Sequence, residues 1–122
     1  MGGYNYIYPD CEYRPKQFIM FPSALLKNEE FRQLTITARI LYAILLDLVL
    51  FAAKKNITDD EGLSYATYKQ KDIAADFNCS EYNARKYLTE LERFGLIQRF
   101  KVGLTKPDRI RVFDYANRYT HE

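Results

Sequence analysis

Residues 80–113 constrain the fold most, because two hydrophobic periods follow one another there without a gap. Ala84, Tyr87, Leu88 and Leu91 recur at helical spacing, so residues 80–94 are expected to form an amphipathic helix with that stripe inward. Tyr82, Asn83, Arg85, Lys86, Thr89 and Arg93 then fall on the outward side. Ser80 offers a hydroxyl to an otherwise unpaired N–H of the first turn, and Gly95 suits the left-handed residue that closes a helix. Past the glycine the period becomes that of strands, expected over 96–102 and 108–113 around a turn of Gly103, Leu104, Thr105, Lys106 and Pro107. Alternation predicts Phe100, Val102, Ile110 and Val112 on one face of this hairpin, with Arg99, Lys101, Arg109 and Arg111 on the other.

The same segment holds eight cations against four carboxylates, a net +4, whereas residues 1–79 and 114–122 each sum to −1. The chain's overall +2 therefore conceals a local concentration. Four like charges on one strand face repel unless an anion lies between them, and a basic helix backed by a basic hairpin is the electrostatic footprint of a winged helix that reads DNA. A solvated face accounts for any one of these charges; the clustering of the set is what points to double-stranded DNA. Asn83 and Arg85 suit base edges, since asparagine pairs bidentately with adenine and arginine with guanine. Ser80, Tyr82, Lys86 and Thr89 suit phosphate or sugar, and Arg99, Lys101, Lys106, Arg109 and Arg111 suit the backbone or minor groove.

Upstream, a helix is expected over 34–53, capped by Thr35 or Thr37 and carrying Ala38, Leu41, Tyr42, Leu45, Leu46, Leu48 and Val49 into the core. Arg39 and Asp47 interrupt it, and it reads as too short an apolar run to span a membrane, where about 20 nearly uninterrupted apolar residues are needed. Asp59, Asp60 and Glu61 make residues 56–62 an acidic turn, without the alternating ligand spacing of a calcium loop. A short strand over 63–68 precedes a helix over 69–77, with Ile73, Ala74 and Phe77 inward, and Asn78 and Cys79 turn the chain into the Ser80 helix. Short helix, tight turn and second helix form a helix-turn-helix, whose second member enters the major groove. The fold class is accordingly α+β, mainly helical: a winged helix-turn-helix with a small antiparallel β-wing.

At 122 residues and 48% hydrophobic content the chain supports one core. Residues 1–17 read as a Tyr-rich arm, 18–113 as the winged-helix domain and 114–122 as a tail. The arm's Tyr4, Tyr6, Tyr8 and Tyr13 could lie along another subunit, stack on a ligand or pack on their own domain. Cys11 and Cys79 are too few for a disulfide framework, though an interchain bond at Cys11 stays open, and the single His121 leaves no zinc set. No metal or cofactor is expected. There is no phosphate loop or nucleophile elbow, and Asp47, Asp72 and Asp76 make no catalytic pair, so the chain does not read as an enzyme. The first residues lack the charged-then-apolar pattern of a secretion signal, and a cytoplasmic protein is expected.

Phe18 to Pro22 with Leu25, then Leu34-Thr35 leading into Ala38-Arg39-Ile40-Leu41-Tyr42-Ala43-Ile44-Leu45-Leu46-Asp47, resembles the N-terminal domain of replication initiator protein A, found on plasmids and mobile elements of Gram-positive bacteria. Asp60-Glu61-Gly62, Tyr65, Tyr68, Ile73, the run Lys86-Tyr87-Leu88-Thr89-Glu90-Leu91-Glu92-Arg93-Phe94-Gly95-Leu96-Ile97, and Gly103, Lys106 and Pro107 continue the likeness. The resemblance covers about residues 18–113, and the Leu-Tyr-x-x-Leu-Leu-Asp run is its most diagnostic part. It implies a winged-helix initiator that binds repeated duplex sites at an origin, pairs as a homodimer and helps recruit host replication proteins. Lys69 stands where a serine or threonine cap is common, and the family's second, host-specific domain does not follow the wing. A domain of a longer initiator, or a small relative, is expected. Two other readings use the same surfaces: a winged-helix transcriptional regulator bound to an operator, and a protein-interaction module.

Overall fold

The computed structural model describes residues 18–116, with Gly3 and Pro9 as isolated positions. Tyr4, Tyr6, Tyr8, Tyr13, Cys11 and His121 lie outside the described residues. The domain is organised round α2 (Ile36–Lys54), whose N-cap is Thr35: its hydroxyl accepts from the Ala38 N–H at 3.2 Å. Ala38, Leu41, Tyr42, Ala43 and Leu45 are buried along one side of α2. With 19 residues and a mean hydropathy of 2.0, α2 does have the length and composition of a membrane span, contrary to the expectation from its sequence. What distinguishes this helix is its setting, because its inward side is the centre of the core cluster.

Arg39 belongs to that setting rather than interrupting it. It is 8% exposed, and its Nε and Nη2 donate to the Leu34 carbonyl at 3.1 and 2.8 Å while Nη1 donates to the Leu25 carbonyl at 3.2 Å. A buried guanidinium is costly unless its donors are satisfied. Here they tie α1 (Ala24–Lys27) and the 3₁₀ turn Glu29–Gln33 onto α2.

α3 (Gln70–Phe77) starts after Lys69, which makes no side-chain cap bond, and ends at Asn78 with a left-handed φ of 53°. α4 (Glu81–Phe94) begins at Ser80, whose hydroxyl accepts from the Asn83 N–H at 3.0 Å, and ends at Gly95, φ 97°. Ala84, Leu88 and Leu91 are buried and Tyr87 is half-buried against the same core. α3 and α4 pack together, and α4 also packs on α2.

β1 (Ile97–Phe100) and β2 (Arg109–Val112) form the antiparallel hairpin, shorter than the sequence suggests because residues 101–108 belong to the turn. Pro107, with no N–H to give, sits at its far end. Only Ala66 of the expected 63–68 strand pairs, exchanging two 2.8 Å hydrogen bonds with Ile110 at the other edge of β2. Around it Tyr65 stacks on Arg109 and Tyr68 donates its hydroxyl to Asp76, so side-chain contacts hold this segment where a ladder was expected.

The hairpin's faces also differ from expectation. Ile97 pairs with Val112, Gln98 with Arg111, Arg99 with Ile110 and Phe100 with Arg109. Directly paired residues share a face, so Arg99 lies with Ile97, Ile110 and Val112, and Phe100 lies with Arg109 and Arg111. The register is set by burying Ile97 and Ile110, which are 2% and 1% exposed, and this reverses the assignment of Arg99 and Phe100.

Candidate nucleic-acid interface

α4 is held at both ends and along its buried stripe, and this fixes what its other side displays. Tyr82 is 65% exposed, and Arg85, Lys86 and Arg93 are exposed beside it. The Lys86 ammonium lies 5.6 Å over the Tyr82 ring, a cation–π contact that keeps both on the outer surface. The Glu90 carboxylate accepts from both the backbone N–H and the hydroxyl of Thr35, pinning the start of α2 to α4. Between them runs a groove of about 930 Å³, lined among others by Gln33, Tyr82, Lys86, Tyr87 and Arg93.

Helix phase separates the two residues expected to read bases. Asn83 stands two turns before Glu90 and is half-buried; Arg85 stands two turns before Glu92 and is exposed, and its side chain lines the large groove together with Gln33 and Thr35. Ser80 spends its hydroxyl on the cap. Thr89 accepts from Arg99 Nη2 at 3.3 Å, so it supports the wing as well as bordering the groove.

The expected four-cation strand face does not form. Arg99 donates through Nε and Nη2 to Glu92 Oε1 at 3.0 and 2.8 Å, and its backbone N–H donates to Oε2 at 3.1 Å, which fastens β1 to α4. Burial alone would raise the Glu92 carboxyl, but the Arg99 N–H and guanidinium outweigh it and hold the group below its ordinary value. On the opposite face Arg111 is bound by Asp59 at 2.8 Å and Glu61 at 3.2 Å, and its guanidinium lies 4.6 Å from the Phe100 ring centre. Asp59 also accepts from the N–H groups of Glu61 and Leu63. Burial would raise its carboxyl too, yet these bonds and Arg111 keep it low. The acidic turn thus clamps β2. Arg109 lies 4.4 Å from the Tyr65 ring centre on the same outer face.

Of the wing cations, Lys101 and Lys106 are exposed and make no ion pair among the described residues. Arg93 and Gln33 line the main groove without having been singled out as site residues; Arg93 carried a signal in its outward phase, Gln33 none. Among the described residues no group of histidine, cysteine or carboxylate side chains is placed to hold a metal ion.

A core helix, a tight α3–α4 pair and a following hairpin define a winged helix-turn-helix domain. The chain belongs to the family described as replication initiator protein A (RepA) N-terminus, whose match spans residues 17–122. It is similar to a structure described as "Structure of Rep-DNA complex", with 27% identity and a TM-score of 0.65, covering 81% of this chain and 76% of that one. A second, "N-Terminal domain of DNA binding protein", shares 25% identity at TM-score 0.65 over 85% of this chain and 84% of its own. A third, "Structure of MDR initiator", shares 27% identity at TM-score 0.62 over 81% and 78%. No curated protein matches the sequence.

Proposed function

We propose that this chain binds duplex DNA site-specifically at a replication origin of a plasmid or mobile element, by placing the outer face of α4 in the major groove. The observation that carries this reading is the face itself: Tyr82, Arg85, Lys86 and Arg93 stand exposed on a helix capped at both ends, with no ion pair among the described residues. Membership of an initiator family and likeness to a Rep–DNA complex support it. The contact set centres on these four residues and on Lys101 and Lys106 of the wing turn. Asn83 and Thr89 border it, Ser80 and Arg99 hold its geometry, and Arg109 and Arg111 occupy the other face of the hairpin. Pairing of two copies on repeated sites, a cytoplasmic setting and recruitment of host replication proteins belong to the same reading.

A footprint of the purified protein on its own replicon tests the function. Protection of repeats at the origin is the expected result; protection confined to its own promoter would make it a transcriptional regulator instead. Arg85→Ala tests the reading helix, and should cost about 1 to 3 kcal/mol on the preferred site while narrowing the gap to scrambled duplexes. Equal losses on both would show that Arg85 holds the backbone and reads no base.

A further inference from the structure

A second basic groove lies beside α4, on the side away from the 930 Å³ groove. It has a volume of about 290 Å³ and brings Lys69 and Lys71, at the start of α3, together with Lys101 and Lys106 of the wing turn. These pairs are some thirty residues apart in the chain, so only the fold unites them. All four lysines are exposed and none makes an ion pair among the described residues. Arg99 also lines this groove, but Glu92 occupies its guanidinium. Glu81 and Asp108 are the acids along the wall, which leaves the four unpaired lysines in excess. Like charges gathered round one depression make its potential positive and attract counterions, and a phosphodiester laid between them takes the counterions' place.

We infer that Lys69 and Lys71, with Lys101 and Lys106, form a second phosphate-binding rail, holding the DNA strand on the wing side of α4. This deepens the proposed function and rests on it. A helix in a major groove about 12 Å wide has a sugar–phosphate strand along each flank. Lys86 and Arg93 on the outer row of α4, beside the larger groove, serve one strand. The lysine groove serves the other, and its charges hold the duplex without reading its sequence.

The double variant Lys69→Gln/Lys71→Gln tests this against Lys27→Gln/Lys54→Gln, which removes the same charge from positions lining neither groove. Duplex affinity is measured across a salt series on preferred and scrambled sites, with thermal melting to confirm that each variant folds. The slope of log affinity against log salt should shrink by about 2 in the groove variant, near 0.9 per lost phosphate contact. That corresponds to roughly thirtyfold weaker binding at about 0.15 M salt, on both duplexes alike. The control pair should leave the slope unchanged. An unchanged slope in the groove variant, or an equal change in the control, overturns the rail while the α4 reading stands. Failure of the unaltered protein to bind any duplex overturns both.

Discussion

The affinity of this protein for duplex DNA is expected to fall steeply with added salt, with log affinity against log salt sloping near −4 to −5. Duplex DNA carries condensed counterions, and each phosphate neutralised by a protein cation releases them at about 0.9 in the slope. The structure sharpens which cations count. Arg99 and Arg111 are committed to Glu92 and to Asp59 with Glu61, and so have little charge left for DNA. Arg85, Lys86 and Arg93 on α4, Lys101 and Lys106 on the wing turn, and Lys69 and Lys71 remain exposed. About four to six phosphate contacts from this set produce the expected slope, or a loss of roughly 300- to 1,000-fold between about 50 and 200 mM salt. A flat response would mean that the basic surface is merely solvated and that an apolar interface holds any partner.

What the sequence made legible was local. The α4 helix needs only a stripe of four apolar residues, a serine before it and a glycine after it, and all of these are neighbours. The core role of α2 follows from its own composition in the same way. The hairpin's existence was legible too, but its register was not, because it is chosen by the core, which buries Ile97 and Ile110 opposite Val112 and Arg99, and not by the turn residues. One slipped residue is enough to move Arg99 from a basic face to the side that meets Glu92.

The long-range clamps were equally invisible. Thr35 and Glu90 are 55 residues apart, and Arg111 and Asp59 are 52 apart, so no periodicity links them. Asp59, Asp60 and Glu61 read only as an acidic turn, whereas the fold brings two of them onto Arg111 of β2. Arg39 read as a polar break in an apolar helix because its partners are backbone carbonyls, which have no signature in composition. The candidate site was therefore legible in its helix and not in its wing: outward phase is a property of one segment, while charge pairing is a property of the assembled fold.

Leu91→Ala is expected to destabilise the domain by about 2 to 5 kcal/mol, the range for deleting a buried leucine and leaving a cavity. Leu91 is fully buried in the core cluster, and its carbonyl accepts from the N–H groups of both Gly95 and Leu96 at the end of α4. The cavity would thus open where the helix passes into the wing, beside buried Leu96 and Ile97. Small domains hold only about 5 to 15 kcal/mol in all, so the loss should lower the melting temperature by roughly 8 to 20 °C. DNA binding should weaken on warming because folded protein is lost, and recover on cooling. Arg93→Ala supplies the opposite pattern from the exposed row of the same helix, with near-normal melting and weaker binding at every temperature. If Leu91→Ala instead abolished binding and left melting unchanged, the stripe of Ala84, Leu88 and Leu91 would be the contact face. The assignment of Tyr82, Arg85, Lys86 and Arg93 to DNA would then fail with it.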